Sequence, residues 1–156
     1  MKKSISFITL MILVLSLLAS CNVTSDGPDT ALPNSATDFE YEVNSEGGII
    51  ITKYVGTDKS VVIPAQIENK NVTIIGRQAF RESVIVSVHI PNTVIEIDYY
   101  AFADCKELKT VILCENLTKI GEGAFSNCAA LCEIELPNSI TALEECCFQY
   151  CTALKS

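Results

Sequence analysis

Three stretches of this chain superimpose without a gap: SVHIPNTVIEIDYYAFADCKEL (87–108), TVILCENLTKIGEGAFSNCAAL (110–131) and EIELPNSITALEECCFQYCTAL (133–154). Ile90, Leu113 and Leu136 recur every 23 residues, as do Ile97, Ile120 and Leu143, and then Phe102, Phe125 and Phe148. Cys105, Cys128 and Cys151 keep the same interval, and Leu108, Leu131 and Leu154 close the units. A fixed period of this length marks a solenoid, in which one small unit stacks on the next because no unit can bury its apolar side alone. An earlier, imperfect copy runs from Val62 through Ile63-Pro64 to Ile75-Gly76 and Ala79-Phe80, with Ser83 at the cysteine position.

The apolar period changes inside each unit. Val88 and Ile90, like Val111 and Leu113 or Ile134 and Leu136, alternate with outward residues, which is strand spacing. Pro91 and Pro137 end that strand because proline has no N–H for a ladder, and Cys114 takes the place in the middle unit. Val94 and Ile97, like Leu117 and Ile120, then carry the chain across. Ala101, Phe102, Cys105 and Leu108 fall at i, i+1, i+4 and i+7, which predicts one or two helical turns on the convex side. Stacking would pair the strands in parallel at about 4.8 Å and join the Phe and Leu positions into one core.

The pattern I-P-x-x-V-x-x-I-x-x-x-A-F-x-x-C-x-x-L closely resembles the Treponema-type, or BspA-like, leucine-rich repeat over roughly residues 60–156. That resemblance implies an α/β fold: a short right-handed solenoid with parallel strands, short convex helices and an N-terminal β-hairpin cap. The sequence departs from the family pattern at Cys114 (for proline), at Cys147 (for alanine) and at Asp98-Tyr99, where glycine is common. The hairpin is also readable directly, because Tyr41 and Val43, then Ile49, Ile51 and Lys53, alternate around the turn signal Glu46-Gly47-Gly48. A hairpin there would shield the open edge of the first repeat.

The N-terminus, MKKSISFITLMILVLSLLASC, has two lysines, an apolar stretch from Ile5 to Ala19, and Leu18-Ala19-Ser20-Cys21 at its end. The apolar stretch has signal-peptide length and is short for a membrane span. Its end is similar to the lipobox of bacterial lipoproteins, which implies cleavage before Cys21 and lipidation of its thiol. More than one acyl chain matters, because each buried methylene contributes about 0.8 kcal/mol and a single chain anchors marginally. Residues 22–38, NVTSDGPDTALPNSATD, lack apolar periodicity and read as a flexible tether. The expected division is therefore a signal peptide at 1–20, anchor and tether at 21–38, a capping β unit at 39–75, and repeats at 76–156, incomplete at the C-terminus.

Charge narrows the function classes. The formal net charge is −8, and −10 once Lys2 and Lys3 are removed. An acidic surface does not suit nucleic acid, whose phosphates demand clustered Lys and Arg, nor adsorption to anionic lipid through a basic patch.

The chemistry-bearing residues are few. Cys105, Cys128 and Cys151 lie on the inward stripe, where a free thiol acts as a small apolar group, and three in a ladder cannot pair completely. Cys146 and Cys147 adjoin a chain end, and Cys114 and Cys132 read as partly exposed. No C-x-x-C occurs, and the i, i+4 pairs Cys128/Cys132 and Cys147/Cys151 follow from stacking, so neither a metal nor a cofactor is expected. His89 reads as a solvated strand residue rather than a general base. Glu133 and Glu135 share one face of the last strand, and Glu144-Glu145 lie on a turn, with no cleft implied for acid–base work. Phosphate loops, H-E-x-x-H and G-x-S-x-G are absent.

A non-catalytic binding module in the cell envelope is therefore the expectation, lipid-anchored and outward-facing. Its ligand face would comprise Ser87, His89, Thr110, Ile112, Glu133 and Glu135. The family resemblance implies an adhesin-like partner, a host matrix protein or a microbial surface protein. The alternative is a truncated or vestigial family member with a structural role or no ligand of its own. The last unit carries Ile134, Leu136, Leu143, Phe148 and Leu154 with only Lys155-Ser156 after it. It is expected to fray, or to self-associate end to end.

Overall fold

Val88 and Val111 point inward between neighbours that face out, so each sits at the centre of a three-residue strand. These are β6 (Ser87–His89) and β8 (Thr110–Ile112), and β3 (Ser60–Val62) precedes them in the same parallel sheet. In the computed structural model, which describes residues 32–155, the chain winds into a parallel-strand solenoid of about three turns.

A second sheet forms where the chain crosses over. Its order is β1 (Phe39–Val43), β2 (Ile49–Tyr54), β5 (Lys70–Ile75), β7 (Glu96–Ile97) and β9 (Lys119–Ile120), with β4 (Gln66–Ile67) set against β5. From β2 onward this sheet is parallel along its main path, and Ile75, Ile97 and Ile120 share one buried row. β1 and β2 form the expected antiparallel hairpin. Gly47 takes a left-handed φ of 85° at its turn, and Asn44 Oδ1 accepts from Glu46 and Gly48 N–H at 3.0 and 2.8 Å. The β4–β5 hairpin is an insertion in the first copy, turning through Glu68 and Asn69 at positive φ. It explains why Ile63 and Ile90 are 27 positions apart while later units keep 23.

The third side corrects the sequence reading. It holds no α-helix among the described residues; the one helical element is a 3-10 turn at Ala36–Asp38. Tandem β-turns stand where convex helices were expected. The N–H groups of Ala101, Ala103 and Cys105 close turns onto Asp98, Tyr100 and Phe102 oxygens at 3.1–3.3 Å. The intervening N–H groups of Tyr100, Phe102 and Asp104 leave the rung and donate to Glu122, Ala124 and Ser126 at 3.1, 2.8 and 2.9 Å. An α-helix would keep all of these N–H groups within its own segment. Left-handed backbone marks the difference, twice per rung: Tyr100 and Asp104 (φ 54° and 62°), then Gly123 and Asn127 (both 60°). Asp, Asn and Gly tolerate that region well.

The core is a column of rings. Phe80, Phe102 and Phe125 are fully buried. Their centroids stand 4.8 and 5.3 Å apart, with Phe148 another 5.6 Å on. Tyr54 of β2 extends the column at its N-terminal end, 5.2 Å from Phe80. Its N–H also donates to Ala79 O at 2.8 Å, as Phe80 N–H does to Ala101 O. The cap therefore imitates a rung on the turn side. On the other sheet Asn34 covers the edge of β3: its N–H donates to Val62 O, and its Oδ1 accepts from Val62 N–H.

The last rung is thinner. Glu133 makes a single bridge to Thr110, and no strand forms around it. Leu143 is 45% exposed, whereas its counterparts Ile97 and Ile120 are at most 1% exposed, and Leu136 is 41% exposed against a fully buried Ile90 and a half-buried Leu113.

Candidate ligand-binding face

Strand pairing sets the outward residues in two columns. Ser60 stands beside Ser87 and Ser87 beside Thr110, which bridges to Glu133. Val62 stands beside His89 and His89 beside Ile112. Glu135 follows Glu133 by two residues, and both are exposed. Five of the six residues singled out from sequence, Ser87, His89, Thr110, Ile112 and Glu133, thus stand in these columns, Glu135 lies outside any strand, and Ser60 and Val62 lengthen both columns by one rung. These two escaped the sequence reading because the insertion displaces the first copy from the 23-residue register. The strand spacing around Val61 was the available signal. Ser87, His89, Thr110 and Ile112 are half-buried, so His89 is less solvated than expected.

The face runs from hydroxyl and apolar groups at the N-terminal end to carboxylates at the last rung. Lys59 Nζ pairs with Glu107 Oε2 at 2.8 Å on its flank. That pair is exposed and contributes at most about 1 kcal/mol. A shallow groove elsewhere, lined by Arg81, Ser83, Asp104 and Lys106 among others, has its charges matched internally through Arg81–Asp104 at 3.3 Å. Asn127 donates to the same Asp104 carboxylate at 2.7 Å and holds its pKa below the usual carboxylate value, with Arg81 acting in the same direction.

Three of the cysteines form a ladder through the rungs. Cys105, Cys128 and Cys151 are free, and each donates its S–H to the phenylalanine carbonyl one rung earlier. The distances are 3.0 Å to Phe80, 3.2 Å to Phe102 and 3.1 Å to Phe125. Burial pushes the Cys105 thiol up to about 12, and it raises Cys128 and Cys151 as well. Protonated thiols are neither nucleophiles nor metal ligands. Cys114 and Cys132, expected to be partly exposed, are buried at 4% and 3%. Cys114 packs in the apolar core, and its S–H donates to Val94 O at 3.2 Å. Among the described residues no His, Cys, Asp and Glu converge as a metal site would require. Cys21 lies outside the described residues.

The family model of the BspA type leucine rich repeat region matches residues 64–156, in six copies. A leucine-rich-repeat protein of T. pallidum is 33% identical with a TM-score of 0.71, over 72% of this chain and 54% of that one. One from Bacteroides capillosus is 36% identical with a TM-score of 0.66, over 70% of this chain and 86% of that one. A leucine-rich cell surface protein of Faecalibacterium prausnitzii is 27% identical with a TM-score of 0.64, over 82% and 42% of the two chains. This chain thus spans about half the length of the T. pallidum protein. No curated protein matches it. With more than half its length matched by one family, the chain belongs to the BspA-type leucine-rich-repeat proteins.

Proposed function

We propose that this protein is an envelope-anchored binding module that takes a protein ligand on the strand face built by Ser87, His89, Thr110, Ile112, Glu133 and Glu135. Leucine-rich repeats generally mediate protein–protein interactions, BspA-like proteins are typically bacterial surface proteins, and no enzymatic family is indicated. The observation that carries the reading is the alignment of outward side chains into two continuous columns on a shallow sheet. Such a surface suits an extended protein contact better than a small molecule, which needs a concave, enclosing pocket. The partner class is an adhesin's: a host matrix protein or the surface of another microbe.

The test is binding of the full chain to an immobilised extracellular-matrix protein preparation and to whole cells of neighbouring bacteria. Glu133→Lys with Glu135→Lys reverses charge at two exposed positions, so the fold is expected to stay intact. Binding is expected to fall at least about tenfold, as rim and face charges control encounter and register. Undiminished binding by this variant would move the ligand to another face.

Anchoring rests on Cys21 and the lipobox resemblance. The native protein is expected to partition into the detergent phase and to incorporate labelled palmitate, and Cys21→Ser to abolish both. Soluble release of unlabelled wild-type protein would remove the anchor from the proposal while leaving the binding face in place.

A further inference from the structure

Two hairpin turns flank one cleft at the start of the crossover sheet. The first, residues 44–48, joins β1 to β2, and the second, at Glu68 and Asn69, joins β4 to β5. β2 and β5 pair directly, and residues of both hairpins line a cleft of about 330 Å³. That volume is at the small end of ligand cavities, which span about 300–1,000 Å³. The second turn belongs to the insertion in the first copy, so the cleft is not a product of the 23-residue repeat.

The polar groups of the cleft are already set in direction. Asn44 Oδ1 accepts from the Glu46 and Gly48 N–H groups, and Asn71 Oδ1 accepts from Gln66 Nε2 at 2.9 Å. Each amide is thereby oriented with its oxygen engaged, and its NH2 group has no partner among the described residues. Lys70 is half-buried, and among the described residues its ammonium has no carboxylate partner. Thr73 Oγ1 donates to Ile49 O at 3.3 Å and keeps its lone pairs. A Cβ on Gly48 would stand 2.5 Å from that hydroxyl oxygen and 3.3 Å from Asn44 Nδ2, so only bare backbone lets both groups approach there. Glu46, exposed on the first turn, supplies the one carboxylate of the lining.

This chemistry narrows the ligand. No wholly apolar side chain lines the cleft, so it does not suit an aromatic or aliphatic molecule. A phosphate brings about two negative charges, against one ammonium here and with Glu46 opposing it. The free groups are mainly donors, two amides and an ammonium, with a hydroxyl oxygen and a carboxylate to accept. Their complement is a single carboxylate carried on a ring rich in hydroxyls. We propose that this cleft binds a uronic-acid residue of a polysaccharide. Its carboxylate takes the Lys70 ammonium and the Asn44 and Asn71 amides, and its ring hydroxyls donate to Glu46 and Thr73. The site is separate from the strand face and does not rest on the protein ligand proposed there.

The experiment titrates the full chain in detergent with the methyl glycosides of glucuronic and galacturonic acid, and with those of glucose and galactose. Amide NMR shifts report where each binds. At least one acidic glycoside is expected to bind on the order of millimolar, the range for so small a ligand, and to shift Gly47, Gly48, Lys70 and Asn71. Its neutral counterpart, with the same ring and no charge, is expected to bind at least about tenfold more weakly. Lys70→Gln should lose at least about tenfold, whereas Lys106→Gln, an exposed lysine outside the cleft, should change nothing. Asn44→Asp with Asn71→Asp keeps the oxygens that hold the turns, replaces both donors, and should also lose at least about tenfold. Shifts confined to other residues, or none with either acid, would overturn the proposal. Equal affinity for the neutral sugars, or undiminished binding by Lys70→Gln, would overturn it too.

Discussion

Phe125→Ala is expected to destabilise the protein by about 3–5 kcal/mol, the usual cost of deleting a buried phenyl ring. Phe125 is fully buried, with Phe102 at 5.3 Å and Phe148 at 5.6 Å, both nearly parallel to it. The cavity cannot collapse easily, because the rungs on either side are pinned by backbone bonds from Phe102 to Ala124 and from Phe125 to Cys147. Stacking adds roughly 0.5–1.5 kcal/mol per neighbour beyond area burial. Against a total stability of about 5–15 kcal/mol, that loss is large enough to unfold the C-terminal rungs. Phe148→Ala should cost clearly less, since Phe148 is only half-buried and stacks on one side. Glu133→Ala on the outer face should stay within about 0.5 kcal/mol. Thermal melts of the three variants decide the matter, and equal shifts for Phe125→Ala and Glu133→Ala would mean the register is wrong.

Register and core were legible because like residues repeat at one spacing, which carries position without any knowledge of backbone shape, and the hairpin cap was legible through alternation around Glu46-Gly47-Gly48. Backbone shape was less legible. Ala101, Phe102, Cys105 and Leu108 satisfy a helical stripe, yet the same inward set is met by tandem turns whose alternate N–H groups bond to the next rung. Only the left-handed positions separate the two. Gly123, Asp104 and Asn127 favour that conformation, but Gln78, Tyr100, Cys146 and Tyr150 adopt it too and give no local signal. There the inter-rung ladder overrides side-chain preference. The strand face was legible through alternation, except at Ser60 and Val62, where the β4–β5 insertion moves the first copy out of register. Cys114 was misjudged as well. It was expected to be partly exposed, whereas it is buried with its S–H donating to Val94 O of the preceding rung.

Stability is expected to fall steeply above about pH 9, and the buried thiol ladder is the cause. A thiol in the unfolded chain titrates near 9.0, whereas burial pushes Cys105 up to about 12 in the fold and raises Cys128 in the same direction. Between those values the unfolded chain has released a proton that the folded chain still holds. The proton-number difference between the unfolded and native states is then negative, so stability declines as pH rises. Below about pH 9 both states keep the proton, and the full stability is present. Each fully buried thiol contributes a slope of about 1.4 kcal/mol per pH unit, so Cys105 and Cys128 together give roughly 3 kcal/mol per unit. Ionisation would also remove the S–H donors to the Phe80 and Phe102 carbonyls, loosening adjacent rungs together. Denaturant titrations at intervals between pH 8 and 11 measure the slope. The double variant Cys105→Ala with Cys128→Ala should start less stable at pH 8 and decline more gently. Parallel slopes for the wild type and the double variant would assign the alkaline loss to the tyrosines and lysines instead.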